Sequence, residues 1–260
     1  MIGMNTQNEV PVMKIGQSWS TIKPTLKPFD IILFKGTGLA ASCVSFLEQH
    51  TMRPADDIKM SPCTYYTHCG LVVTSEILDH PLVVPGKLYL WNSTLSGSSD
   101  YGVQNIEGQT FFGVQLQDLD EVVLAYDRPN DTQLALCRLL QNPFNEKTIE
   151  KDLLKQHFTL VFDKLNGRPY NLNFYSLLAT VIPYLRSYRR DVEECLNTTT
   201  WLFCSELVAF VYKKMGIFPA STHPQNVAPM DFADYDEGMR RNIPLNIIGN
   251  PTHFTTPIHQ

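Results

Sequence analysis

The apolar residues of this chain fall into short blocks bounded by proline, glycine and polar clusters, and the spacing within each block predicts its structure. Residues 28–35 (PFDIILFK) form a brief apolar run closed by Gly36-Thr37-Gly38, the pattern of a buried strand. Residues 39–50 space their apolar side chains as a helix does. Residues 64–74 (TYYTHCGLVVT) and 87–94 (KLYLWNST) are rich in β-branched and aromatic side chains. The connection between them holds Pro81, Pro85 and Gly86, which predicts an antiparallel pair with a long turn. Two more strands are predicted at 111–116 and 121–126. Helical spacing runs through 131–165, returns over 171–185, and is clearest over 201–215, where Gly216 stands at the position that ends a helix. Residues 1–24 read as a polar arm, 51–61 and 95–99 as loops, and 219–260 as a mostly irregular tail. A helix, several strands and then helices predict an α+β domain around an antiparallel sheet.

Composition narrows the function. The chain has 260 residues, 43% of them hydrophobic, enough to bury the core of one domain spanning 1–260. Its 21 basic and 26 acidic residues leave a net charge of −5, and its one basic patch is Arg186-Ser187-Tyr188-Arg189-Arg190. Nucleic-acid binding needs clustered cations, so it is not expected; weak contact of that patch with an anionic membrane surface is the other reading. No apolar run reaches the ~18 residues of a membrane span. The first residues lack the basic and apolar regions of a secretory signal, which predicts a cytoplasmic protein. Six cysteines without a Cys-x-x-Cys pair predict free thiols in a reducing compartment. Phosphate-binding glycine motifs are absent, so no nucleotide is expected, and neither is another cofactor. Cys63, His68 and Cys69 match no zinc spacing, so no metal is predicted. Asp118 and Asp120 fit a solvated edge better than a glycosidase pair, and His80, His223, His253 and His259 read as solvated loop residues.

The chemistry-bearing residues lie far apart in the chain. On a strand through residues 67–73, His68, Gly70 and Val72 share one face and Cys69, Leu71 and Val73 the other. A glycine beside a histidine leaves space next to the imidazole. In Trp201 to Tyr212, Cys204 starts a helix, with Val208 and Val211 on the same stripe. The helix dipole and the unpaired first-turn N–H groups favour a thiolate there, and the Cys204 N–H is well placed to hold an oxyanion. Each alone has an ordinary structural explanation, a carbonyl-bound strand-end histidine and a small buried hydrophobe. Together they make a thiol–imidazole pair, with Asn92 on the neighbouring strand as the group that orients the ring. Tyr66, Gly70 and Ser205 are candidates for contacting substrate, and Tyr65, Tyr170 and Phe174 for walling the cleft.

The segments Thr67-His68-Cys69-Gly70 and Phe203-Cys204-Ser205-Glu206-Leu207-Val208, with Phe29-Asp30-Ile31-Ile32-Leu33-Phe34 before them, resemble motifs of the circularly permuted NlpC/P60 group of papain-like proteins, the YaeF/YiiX-type and poxvirus-type amidases. The resemblance covers about residues 28–218. It implies a permuted papain-like fold, a barrel-like antiparallel sheet packed on helices, with the nucleophile at a helix N-terminus. It also implies a cysteine amidase or peptidase, or an acyltransferase, acting on a peptide or lipid acyl substrate. A scaffold or virion component that keeps the fold without activity is the alternative. Asn92 stands where the group carries an acid, and Phe29 where it carries glycine. Residues 115–170 exceed a minimal core and read as an insertion shaping substrate entry.

Overall fold

Ile31–Phe34 (β2) is buried along its whole length because strands flank it on both sides. The computed structural model describes residues 17–35, 66–94, 102–126, 134–143, 148–170, 202–233, 243–244 and 246–256. Its other strands are β1 (Gln17–Ser18), β3 (His68–Val73), β4 (Tyr89–Thr94), β5 (Gly113–Asp118), β6 (Leu134–Cys137) and β7 (Thr252–Thr255). They form one seven-stranded sheet in the order β1-β7-β6-β2-β3-β4-β5. Neighbours are antiparallel except β1 and β7. Among the described residues β1 and β5 do not pair, so the sheet is open and the expected barrel-like closure is not made. The predicted antiparallel pair at 64–74 and 87–94 is present as β3 and β4.

Both faces of the sheet are covered, so β2 and β3 read as continuous apolar runs. On one face Cys69, Leu71, Val73, Tyr89 and Trp91 pack with residues of α3 (Thr148–Leu165) and α4 (Cys204–Lys214). Phe158 meets Trp91 edge-on at 5.6 Å. On the other face Ile32, Phe34, Val72 and Leu90 pack with α1 (Trp19–Ile22) and α2 (Leu119–Tyr126). The result is a three-layer α+β arrangement.

Residues 121–126, predicted as a strand, belong to α2. Asp118 Oδ1 accepts the N–H groups of Asp120 and Glu121 at 2.8 and 3.2 Å, an N-terminal cap that turns the chain out of β5. Leu119, Val122, Val123 and Tyr126 then make one buried helical stripe. Within the helical spacing read over 131–165, Leu134–Cys137 is instead β6, buried between β2 and β7. The stretch read as an insertion is therefore built into the sheet. The predicted polar arm also enters the fold: Trp19 stacks on Phe254 at 5.3 Å and donates Nε1–H to Asp120 at 2.9 Å. The tail supplies β7, and His253 is part of it. The predicted helices at 39–50 and 171–185, the loops at 51–61 and 95–99, and the Arg186–Arg190 patch lie outside the described residues.

Candidate active site

β3 and β4 part company at one end. Their last cross-strand pair is Gly70 with Asn92, whereas β4 keeps its register with β5 to Thr94 and Gly113, and β3 with β2 to His68 and Phe34. His68 and Cys69 thus lie beyond the β3–β4 ladder. Val72 donates its N–H to Asp30 of the β2 side, and ladder amides alternate, so the Cys69 N–H turns toward the opening. The segment leading into α4 approaches β4 at this opening: Ser93 donates its hydroxyl to the Leu202 carbonyl at 2.6 Å.

α4 begins at Cys204. Glu206 folds back to accept the Phe203 N–H at 3.3 Å, satisfying a donor at the helix start, and Met215 and Gly216 (φ 72°) end the helix where the sequence indicates. The Cys204 thiol is held well below the ordinary thiol range. The largest cause is a hydrogen bond from the Cys69 side chain, followed on the lowering side by the charge and hydrogen bond of His68 and the Cys69 backbone N–H, while burial opposes them. Both His68 and Cys69 thus act on the Cys204 thiol, and Cys69 is the residue that pattern reasoning had placed only on the opposite sheet face.

His68 is held by aromatic rings. Its imidazole lies parallel to Tyr126 at 5.9 Å and tilted on Phe34 at 5.5 Å. Asn92 shares its sheet face, but the expected His68–Asn92 hydrogen bond is not formed. Asn92 donates Nδ2–H to Gln117 Oε1 at 2.9 Å, while its buried Oδ1 has no partner. The reason is register: Asn92 stands opposite Gly70, two residues from His68. Continued pairing would set Thr94 opposite His68. The space expected beside Gly70 is also absent, because a Cβ there would meet Leu90 at 2.7 Å and Asn92 at 3.0 Å.

Tyr66 and Ser205, two residues expected to contact substrate, are both buried. Tyr66 is fully buried and its hydroxyl bonds His253 Nδ1 at 3.1 Å. His253 is thus half-buried, and desolvation lowers its pKa below the ordinary 6.5; the solvated-loop reading does not hold for it. Ser205 is buried at the second position of α4. Tyr170, expected as a wall residue, does reach the site. It bridges to Leu202, meets Phe203 edge-on at 5.5 Å, and its phenol is pushed far up, first by burial and then by the nearby Cys204 charge. Tyr65 and Phe174 are outside the described residues.

The free cysteines among the described residues are Cys69, Cys137 and Cys204. Among the described residues no group of three or more His, Cys, Asp and Glu side chains is placed to hold a metal ion. No helix among them is long and apolar enough to cross a membrane. No protein-family model matches the chain, and no curated protein matches it. Among solved structures it is similar to a crystal structure of the metalloprotein yiiX from Escherichia coli O157:H7, at 13% identity over 89% of each chain, with a TM-score of 0.40.

Proposed function

We propose that this protein is a cysteine hydrolase of the permuted papain-like type, with Cys204 as nucleophile and His68 as its acid–base partner. The order of the pieces, histidine strand before cysteine helix, supports the permutation. The observation that carries the reading is the position of Cys204 as the first residue of α4, at the end of the sheet where β3 and His68 leave the β3–β4 ladder; His68 is among the groups that hold its thiol below the ordinary range. The thiolate attacks the carbonyl carbon of an amide, ester or thioester. The Cys204 N–H and the Tyr170 phenol, which keeps its proton, hold the oxyanion. His68 passes a proton to the leaving group, and water, or an acceptor in the acyltransferase version, releases the acyl group. The substrate is a peptide or lipid acyl compound. Asn92 acts on His68 only if its free Oδ1 gains a bridging donor. This gap favours the second reading, a module that keeps the fold without turnover.

Iodoacetamide labelling across pH separates the two. Selective alkylation of Cys204 below about pH 7, lost in His68→Ala, supports the enzyme, because an ordinary thiol titrates near 8.5. Equal, slow labelling of every accessible thiol refutes it.

A further inference from the structure

Cys69 and Cys204 come from positions far apart in the sequence, yet β3 and α4, which carry them, pack against each other, and the Cys69 side chain is the first influence that lowers the Cys204 thiol. Both are buried in one cluster with Leu71, Leu207 and Val208, so the elements that carry them are already packed. Ser93, which would stand opposite Cys69 if the β3–β4 register continued, donates its hydroxyl to the Leu202 carbonyl at 2.6 Å, so the chain entering α4 two residues before Cys204 is held against the sheet face that carries Cys69. Cys137, the third described thiol, is engaged elsewhere: its Sγ bonds the Phe232 carbonyl at 3.3 Å. The acyl chemistry proposed above uses one sulfur of this pair and leaves the other without a chemical step.

We propose that Cys69 is the resolving thiol of a reversible disulfide with Cys204, formed when a peroxide oxidises Cys204. The Cys204 thiolate attacks one oxygen of the peroxide, and the O–O bond breaks. With hydrogen peroxide this gives a sulfenic acid at Cys204 and hydroxide, which takes up a proton to become water. The Cys69 sulfur then attacks the sulfenic sulfur, losing its proton as the hydroxyl leaves as a second water. One peroxide is reduced by two electrons and the dithiol is oxidised by two. Thiolate character makes Cys204 the first to react, and the neighbouring thiol intercepts it before sulfinic acid forms. The disulfide ties β3 to α4 and masks the nucleophile until a dithiol reductant opens it. A non-enzymatic module with the same two sulfurs would behave in the same way, so this inference stands or falls apart from the hydrolase reading.

The test treats the full chain with limiting hydrogen peroxide, blocks remaining thiols with iodoacetamide, and maps linked peptides by mass spectrometry. A Cys69–Cys204 linked peptide is expected, with loss of Cys204 alkylation and its full return after dithiothreitol. In Cys69→Ser, near in size to the original, the sulfenic acid should persist, be trapped by a dimedone-type reagent, and progress to sulfinic acid that dithiothreitol does not reverse. In Cys204→Ser, Cys69 should remain reduced. Cys204 passing directly to sulfinic acid in the unaltered chain would overturn the proposal. So would its pairing with Cys43, Cys63, Cys137 or Cys195, or its resistance to peroxide levels that oxidise methionines. Acyl-probe labelling of the reduced protein is read separately and reports only on the hydrolase reading.

Discussion

Gly70 and Asn92 are the last pair that β3 and β4 share. Beyond them β3 stays with β2 and β4 with β5, so the end of β3 is open on one side. That opening lets a sulfur carried by α4 interact with a histidine whose side chain lies on the opposite sheet face. It also frees the Cys69 N–H to bond the same sulfur.

The point of divergence is sensitive to volume. A methyl at Gly70 would sit 2.7 Å from Leu90 and 3.0 Å from Asn92, so Gly70→Ala must shift one or both. Overpacking of this kind costs about 1–3 kcal/mol. Chemical denaturation should show that loss, and the rate of Cys204 alkylation should fall with it as Cys69 and His68 move relative to α4.

Gly113→Ala tests a second close approach. The start of β5 is contacted by the segment after α3, with Val114 donating to Arg168 and Gly167 donating to Val114, both at 2.8 Å. A Cβ at Gly113 would lie 2.1 Å from the Arg168 carbonyl, a backbone atom that cannot rotate away. The displaced segment carries Tyr170 to the Cys204 site. If the Tyr170 phenol holds the oxyanion as proposed, acylation of Cys204 by an activated ester should drop by about tenfold or more. Alkylation by iodoacetamide, which forms no oxyanion, should change far less.

The central strands were legible because β-branched and aromatic runs bounded by turns have few other fates: 28–35, 64–74 and 87–94 contain β2, β3 and β4, and 111–116 overlaps β5, whereas β1, β6 and β7 lie in segments read as arm, helix and tail. The start and end of α4 were legible from its stripe and Gly216. Val122, Val123 and Tyr126 were not, because a short apolar run suits either period until the cap at Asp118 is seen. The choice of Cys204 and His68 as candidates followed from residue chemistry. The part played by Cys69 did not, since face alternation puts it opposite His68 and only the divergence of β3 from β4 lets both reach one sulfur. Asn92 was placed on the correct face but two residues away in register, which no single-strand pattern reveals.

The Cys204 thiol also fixes a pH dependence of stability. Its folded value lies below that of an ordinary thiol, so the stability it contributes is present above the unfolded value and is lost as pH falls through the folded one. The difference in unfolding free energy between the natural chain and Cys204→Ala should therefore grow with pH across that window. In Cys69→Ala, which removes the largest lowering contribution, the growth should begin at higher pH, and the alkylation profile should move upward with it.

His253 acts on the acid limb. Burial against Tyr66 holds its pKa below 6.5, so the folded state resists protonation that the unfolded chain accepts. Stability should be full above 6.5 and fall as pH drops through that value toward the folded pKa. His253→Gln, which can keep a bond to the Tyr66 hydroxyl, should flatten this decline. Thermal melts between pH 7 and pH 5 would show it as a smaller drop in Tm; an unchanged slope would assign the acid sensitivity to other groups.

Phe29 sets two effects against each other. Its backbone is left-handed, φ 67°, a conformation that favours glycine, and its carbonyl accepts the Tyr212 hydroxyl at 2.5 Å. Holding a non-glycine residue there costs roughly 1–2 kcal/mol. Its ring is fully buried and meets Phe158 edge-on at 5.3 Å, and truncating such a ring costs about 3–5 kcal/mol. The ring outweighs the strain, so Phe29→Gly should destabilise the protein although it restores the residue the backbone favours. Phe29→Ala loses the same ring and keeps the strain, so it should be worse than Phe29→Gly by up to ~1 kcal/mol, the reverse of the usual order at an unstrained site. Urea denaturation of the two variants decides it: alanine above glycine would mean that the turn into β2 relaxes out of its left-handed conformation once the ring is gone.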